Sequence, residues 1–316
     1  MRAALRLALV AAFTAAVLIG AWLAMRGTGP DRRNLDALVT VGGDLARDAT
    51  HPILDLTRMS ESDEAALGAA IDKEIRASMP VGSDPRLEGY LRRVLQSLAP
   101  HVSRGGIPYA IALVRSREVN AFAVPGGRIY VMEGLLDFVK SEAELAAVIG
   151  HEISHVDLRH CIERMQAEQK LRRVSPGIAA LARLGHELVL RGYAEELELE
   201  ADRNAARLVA RARYDPWEAM SLFARTARME APRERAPTRD PWVEIASAIP
   251  EALRRYLATH PPADQRMEAV RETLRAEPEL WLGERRYVGR VNLARRRAMA
   301  DEPVEGEWIA RSSPPG

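Results

Sequence analysis

Two histidines and a glutamate in the segment His151–His155 have the spacing of a metal-binding helix. His151 and His155 lie four positions apart, so on a helix both imidazoles project from the same face and can reach one metal ion. Glu152 lies between them and can polarise a water molecule that this metal holds. The segment therefore has the residue types of a zinc hydrolase.

A third metal ligand is expected from an acidic segment that begins 43 residues after His155. The chain from Glu195 to Arg213 contains neither Gly nor Pro, which favours a helix. Glu198 and Asp202 fall on one partly apolar face of that helix, where burial of two acids is costly unless a cation compensates it. We interpret Glu198 as the third ligand and Asp202 as the acceptor for the free N–H of a ligand histidine. The alternative is an ordinary solvated acidic turn.

The helix that carries the two histidines has a recognisable start and a buried face. Ser141 and Glu144 have the spacing of a capping box, with Ser141 as the N-cap. A stripe of apolar residues at helical spacing follows and would press this helix into a core; it comprises Leu145, Val148, Ile149, Ile153 and Val156.

A β-hairpin is expected just before this helix. The runs Ala121–Val124 and Arg128–Val131 alternate like short strands, and Pro125-Gly126-Gly127 between them is a turn signal. An edge strand beside a metal helix can hold an extended peptide through backbone hydrogen bonds, whatever the peptide's sequence. The alternative is a hairpin that only closes the core.

These blocks together resemble the HtpX and Oma-type zinc metalloendopeptidases, which are related to the CAAX prenyl proteases. The blocks are Asn120–Val131, the helix within Ala147–His160, Glu198–Ala206 and, more weakly, Thr259–Arg266. The resemblance covers roughly residues 60 to 275. It implies an α+β, mostly helical fold, a zincin-like (gluzincin) metallopeptidase domain with a small β-sheet or hairpin beside the HExxH helix.

The resemblance also implies a set of site residues. His151, His155 and Glu198 would bind one Zn²⁺ per subunit, which leaves a fourth position open for water. Glu152 would be the catalytic base, which accepts a proton from the attacking water and passes it to the leaving amine. Asp202 would be the supporting acid. The substrate-binding edge strand would consist of Asn120, Ala121, Phe122 and Ala123.

The remaining histidines are assigned less directly. His260 lies on a loop before a helix expected from Ala263. In some relatives the histidine of such a loop can occupy the open metal position, so His260 is a candidate latch or fourth ligand; the alternative is loop packing or helix capping. His160 follows His155 by five residues and is predicted to be structural. Candidates for a second oxyanion donor include Tyr193 and His186, without a signal that decides between them.

The N-terminus predicts a membrane anchor. Leu7–Met25 is a run of 19 residues without a charge, and Arg2 and Arg6 precede it. On a helix it would span about 28 Å, close to the hydrocarbon thickness of about 30 Å. We expect a single-pass protein of the bacterial inner membrane whose catalytic domain faces the periplasm. The alternative is a signal peptide that is cleaved on secretion to the periplasm.

The chain is accordingly divided into an anchor at 1–28, a linker and lead-in helix at 29–60, a zinc metallopeptidase domain at 61–277, and a partly disordered extension at 278–316. The formal net charge of +1 argues against a nucleic-acid binder. We expect a metalloendopeptidase that cleaves unfolded or misassembled envelope proteins and has a role in protein quality control. The alternative is an envelope assembly or chaperone-like factor with a largely latent peptidase site.

Overall fold

The computed structural model of the chain describes residues 55–82, 84–172, 177–189, 191–230 and 260–314. They belong to one compact unit, Asp55–Gly316. The predicted anchor at 1–28 and most of the linker at 29–60 lie outside the described residues. Within the described residues, each helix is too short or too polar to traverse a lipid bilayer.

Helices dominate the described structure, as the sequence predicts. The helices are α1 (Glu61–Ser78), α2 (Pro85–Leu98), α3 (Glu133–Phe138), α4 (Glu142–Asp157), α5 (His160–Arg172), α6 (Ile178–Leu188), α7 (Glu195–Arg211), α8 (Glu218–Glu230), α9 (Ala263–Ala276) and α10 (Arg290–Arg295). The strands are β1 (Ala110–Val114), β2 (Ala121–Val124), β3 (Arg128–Met132), β4 (Arg285–Tyr287) and β5 (Trp308–Ala310).

The predicted hairpin forms two strands of a small mixed sheet with the order β1-β3-β2. β1 runs parallel to β3, whereas β2 pairs antiparallel with β3 and places Phe122 opposite Tyr130. The turn between them requires glycine, because Gly126 and Gly127 have φ values of 77° and 81°. Because β3 lies between β1 and β2, β2 is an edge strand of this sheet. It lies against α4.

The metal helix α4 is buried along its whole length. It begins as predicted, with the Ser141 hydroxyl accepting a hydrogen bond from the Glu144 backbone N–H at 3.1 Å. α4 packs most extensively on α7. Gly150 faces Ala205 across this contact, and a Cβ on Gly150 would lie 3.6 Å from the Cβ of Ala205, an ordinary van der Waals distance. The packing brings the acidic segment of α7 alongside the histidines.

The sequence analysis assigned residues 278–316 to a partly disordered C-terminal extension. Residues 278–314 are ordered and fold onto the domain, with β4 and β5 pairing antiparallel. The Gly289 carbonyl accepts a hydrogen bond from the Glu142 backbone N–H at 3.1 Å, and the Val288 carbonyl accepts one from Ala143 at 3.0 Å. The first turn of a helix lacks internal acceptors for its N–H groups, so this segment completes the start of α4. Its buried Tyr287 anchors it in the core.

Candidate metal centre

Three donor side chains converge where α4 meets α7. His151 Nε2 lies 3.1 Å from His155 Nε2 and 3.4 Å from Glu198 Oε2, and His155 Nε2 lies 3.6 Å from Glu198 Oε1. Tetrahedral ligands with bond lengths of about 2.0–2.1 Å are separated by about 3.3 Å. All three side chains are buried. The donor set therefore fits a tetrahedral Zn²⁺ in both its spacing and its atom types.

The electrostatics of these donors also suit a cation. Burial alone would raise the pKa of Glu198, but the nearby His260 and His151 outweigh it and lower the pKa to about 2. Glu198 Oε2 is buried and has no hydrogen-bond partner among the described residues. Although burial alone would lower the pKa of His151, the Asp202 carboxylate raises it to about 9, so a metal ion would displace the proton from His151 on binding. Burial lowers the pKa of His155 well below its usual value. His155 is thus neutral, as a metal ligand must be, and a metal ion would satisfy the carboxylate.

The buried ion pair of Asp202 and Arg266 lies against Nδ1 of His151, the ring nitrogen that is not a metal donor. Asp202 Oδ1 lies 2.9 Å from His151 Nδ1. Arg266, on α9, donates to both oxygens of Asp202, from Nε at 2.8 Å and from Nη2 at 2.7 Å. Although burial alone would raise the pKa of Asp202, the guanidinium of Arg266 holds it well below its usual value. Asp202 can therefore accept the Nδ1–H of His151, which leaves Nε2 for the metal.

His160, which the sequence analysis predicted to be structural, lies against the other ligand histidine. Its Nδ1 lies 3.1 Å from His155 Nδ1, and its Nε2 lies 3.4 Å from Glu200. The sequence analysis assumed that the helix continues past His155. On a continuous helix, a residue five positions after His155 lies off the face that carries the metal ligands. Instead α4 ends at Asp157, and Arg159 adopts the left-handed conformation with a φ of 67°. The chain reverses there and returns the ring to His155.

A stacked aromatic ring covers His155 from the other side. The ring of Tyr193 lies parallel to the imidazole, with centroids 3.9 Å apart and an interplanar angle of 11°. The Arg164 guanidinium lies 4.0 Å from the centroid of Tyr193. The Tyr193 hydroxyl contacts Cys161 Sγ at 3.1 Å. Tyr193 therefore orients His155, and its hydroxyl is engaged away from the metal donors.

Glu152 lies beside the metal donors and is itself buried. Burial raises its pKa to about 7. A carboxyl group with a pKa near neutrality can both accept and return a proton at physiological pH. The geometry and protonation of Glu152 thus suit the role of a general base.

The predicted edge strand and His260 lie beside Glu152 and the metal donors. Asn120, Ala121, Phe122 and Ala123 line a cavity of about 360 Å³ together with Glu152 and His260. β2 pairs only with β3 among the described strands, and on its other edge the Ala121 backbone N–H donates to Asn120 Oδ1 at 3.0 Å. His260 Nε2 lies 3.7 Å from Glu198 Oε2. His186, by contrast, lies away from the site and contacts Ser78 at 2.7 Å.

Comparison with known proteins identifies the family. Residues 85–274 match the model of peptidase family M48. The chain belongs to this family. It is 27% identical over 268 residues to the beta-barrel assembly-enhancing protease of Escherichia coli (strain K12), covering 79% of this chain and 53% of that protein. The putative beta-barrel assembly-enhancing protease of Vibrio cholerae is 30% identical over 273 residues, covering 79% and 52%. Mitochondrial metalloendopeptidase OMA1 of Arabidopsis thaliana is 29% identical over 194 residues, covering 60% and 36%.

Membership of family M48 confirms the resemblance and the fold class that the sequence analysis predicted. The chain spans about half the length of the curated beta-barrel assembly-enhancing proteases it matches. The site residues that the sequence analysis named lie close to one another around the donor set. Arg266 was noted only as the end of the fourth block, and no role was assigned to it. Its partner Asp202 is 64 residues away, and no local pattern reveals such a pair.

Proposed function

We propose that this protein is a zinc-dependent metalloendopeptidase that hydrolyses peptide bonds in other proteins. The observation that carries the proposal is the cluster of three buried donor atoms, 3.1–3.6 Å apart, with Glu152 beside them. Three protein ligands are typical of catalytic zinc sites, whereas structural sites have four. Membership of a peptidase family supports the same reaction class.

Different residues of the chain have different roles in peptide hydrolysis. Bound zinc would supply a Lewis acid that activates water and polarises the peptide carbonyl. Glu152 takes a proton from the attacking water and returns it to the leaving amine. The outer edge of β2 binds the substrate as an additional strand, through backbone hydrogen bonds that tolerate many sequences. Asp202 and His160 keep the ligand imidazoles in the orientation and tautomer that the metal requires.

Glu152→Gln tests this assignment directly. The variant should retain zinc, because Glu152 is not among the three ligands, and should cleave unfolded casein roughly 10²- to 10⁴-fold more slowly. Glu196→Gln is the matched control, because Glu196 is an exposed acid on α7 and should leave both properties unchanged. A chelator should stop cleavage by the wild type. Wild-type rates in Glu152→Gln would show that another group is the base.

For the biological role, we infer that the substrates are unfolded or misassembled proteins of the bacterial cell envelope. Two relatives are named beta-barrel assembly-enhancing proteases, which supports an envelope role. The uncharged run Leu7–Met25 supports an inner-membrane anchor with the catalytic domain in the periplasm. Alkaline phosphatase fused after residue 316 should be active if that orientation holds. N-terminal sequencing of the mature chain distinguishes an anchor from a cleaved signal peptide.

A largely latent peptidase that acts as an assembly factor is the second candidate function. The distance of 3.7 Å between His260 Nε2 and Glu198 Oε2 favours it, since His260 could occupy the fourth metal position. His260→Ala should then raise basal casein cleavage, whereas unchanged or lower activity would exclude the latch. If assembly is the main function, Glu152→Gln should complement a deletion strain; failure to complement would favour the protease.

A further inference from the structure

Two arginines line the cavity beside β2. Arg164 lies on α5 and Arg191 follows α6, and both contribute to the wall of the same cavity of about 360 Å³ as Ala121 and Ala123 of β2. Glu152 lies in that wall too. In so small a cavity, a peptide extended along β2 would lie close to the arginines as well as to the catalytic base.

Arg164 has hydrogen-bonding capacity that the chain leaves unused. Its Nη1 donates to the Arg191 backbone carbonyl at 2.7 Å, and its guanidinium lies 4.0 Å from the centroid of the Tyr193 ring. Its Nε is buried and has no hydrogen-bond partner among the described residues. The acid one turn further along α5, Glu168, pairs instead with Arg172 at 2.7 Å. A carbonyl and an aromatic ring leave the guanidinium, which is always charged and has five N–H donors, without a counter-charge.

Arg191 adds a second positive charge that is only loosely paired. Its side chain is 57% exposed, and its Nη1 lies 3.9 Å from Glu168 Oε1, which is beyond hydrogen-bond distance. The acids in the wall of the cavity, Glu152 and Glu198, belong to the metal centre, where a divalent cation would compensate them. The part of the wall formed by Arg164 and Arg191 is therefore positive.

The ring of Tyr193 sets the distance between Arg164 and the metal centre. The guanidinium of Arg164 lies 4.0 Å from the centroid of that ring, and the centroid of the His155 imidazole lies 3.9 Å from it. Two groups at these distances cannot share one face of the ring, so the ring separates them. Because an extended chain advances about 3.3 Å per residue, this separation corresponds to about two or three residues of a bound peptide.

A carboxylate is the substrate group that this wall would recognise. The planar guanidinium can donate two parallel hydrogen bonds to a carboxylate, and such charge-assisted bonds are roughly twice as strong as neutral ones. We propose that Arg164 and Arg191 bind a carboxylate of the substrate about two or three residues from the cleaved bond. An acidic side chain and the free C-terminus of a peptide offer this same chemistry. The proposal rests on the proposed peptidase function.

Peptides that differ only in Glu or Gln at one position test the selection. In a series with both termini blocked, with the cleaved bond mapped by mass spectrometry, wild-type kcat/KM should be roughly tenfold higher for Glu than for Gln at one fixed position. Arg164→Gln should bring this ratio close to one, and Arg191→Gln should lower it in part. Arg183→Gln is the matched control, because Arg183 is exposed on α6 and lies outside the cavity wall; it should leave the ratio unchanged. Both peptides are measured on the same variant, so a loss of folded or metal-loaded protein lowers both rates equally and cancels in the ratio.

A further peptide distinguishes the two sources of the carboxylate. It ends with Gln at the selected position and is compared with its own C-terminal amide. Faster cleavage of the free acid, lost in Arg164→Gln, would assign the site to the C-terminus of the substrate. Equal rates, together with the preference for Glu in the blocked series, would assign it to an acidic side chain.

Failure of this inference can be distinguished from failure of the peptidase proposal. Equal kcat/KM for Glu and Gln at every position, with no gain from a free C-terminus, would overturn the carboxylate site and leave the peptidase standing. A preference that survives in both Arg164→Gln and Arg191→Gln would overturn it as well. If no peptide is cleaved, the peptidase proposal fails, and binding of the same peptides to Glu152→Gln by fluorescence anisotropy tests the site. There the Glu peptide should bind roughly tenfold more tightly than the Gln peptide, and equal affinities would overturn the selection.

Discussion

Replacement of Asp202 by Asn tests the buried ion pair that supports the metal centre. Both partners are almost inaccessible, with side-chain exposures of 2% for Asp202 and 3% for Arg266. The substitution preserves shape but removes the carboxylate charge that lies against the buried guanidinium of Arg266. It also weakens the acceptor of the His151 Nδ1–H. Both the stability of the domain and its affinity for zinc should therefore fall.

The structure contains a matched pair that sets the expected magnitude. Arg207 on α7 donates to Glu277, directly after α9, from Nε at 2.9 Å and from Nη2 at 2.6 Å. That pair joins the same two helices, yet its side chains are 33% and 29% exposed. Loss of one partner from a buried pair costs about 3–5 kcal/mol, whereas a solvated pair contributes about 1 kcal/mol or less. Asp202→Asn should therefore exceed Glu277→Gln by about 2–4 kcal/mol.

Urea unfolding and zinc competition measure the two effects separately. The free energy of unfolding is compared in a chelator, because bound zinc itself adds about 2.7 kcal/mol at 100 times its dissociation constant. Zinc affinity, measured against a chromophoric chelator, should fall roughly 10- to 100-fold in Asp202→Asn. Glu277→Gln should leave it unchanged. If the two variants lose equal stability and bind zinc equally well, Asp202 has no special role and the reasoning is refuted.

Two further predictions concern the surroundings of the metal helix. His160→Ala should lower zinc affinity roughly 10- to 100-fold, because it removes the partner of His155 Nδ1; His186→Ala, outside the site, should not change the same chelator competition. A chain that ends at Glu277 should lose its cooperative thermal transition, followed by circular dichroism, because Glu142 loses its backbone acceptor and β4 is absent. A transition within a few degrees of the full chain would contradict that expectation.

Local signals explain why much of the site was predictable from the sequence. The helical spacing of His151 and His155 places two imidazoles on one face whatever the tertiary fold. The cap at Ser141 and the turn at Gly126 likewise depend only on neighbouring backbone groups, and the structure contains both. The pairing of Glu198 with the histidines was inferred because two acids on an apolar face require a cation.

Other features depend on where distant segments meet. The reversal at Arg159 returns His160 to the site, and a helical projection from sequence cannot anticipate a left-handed residue there. The contact of the segment after residue 277 with the start of α4 likewise involves hydrogen bonds across more than 140 residues. The position of His160 depends on one left-handed residue, and the position of the segment after residue 277 depends on contacts with a distant part of the chain.

The sequence by itself determined the residue types of the metal centre, the helix and hairpin that present them, and the family to which the chain belongs. Only the tertiary structure decided which groups surround those residues: Arg266 behind Asp202, His160 behind His155, and Arg164 in the cavity beside β2. The physical reason is the distance along the chain over which each kind of interaction acts. Periodicity, capping and turn preferences act within a few residues, whereas charge compensation and cavities arise only where helices from distant parts of the chain pack together.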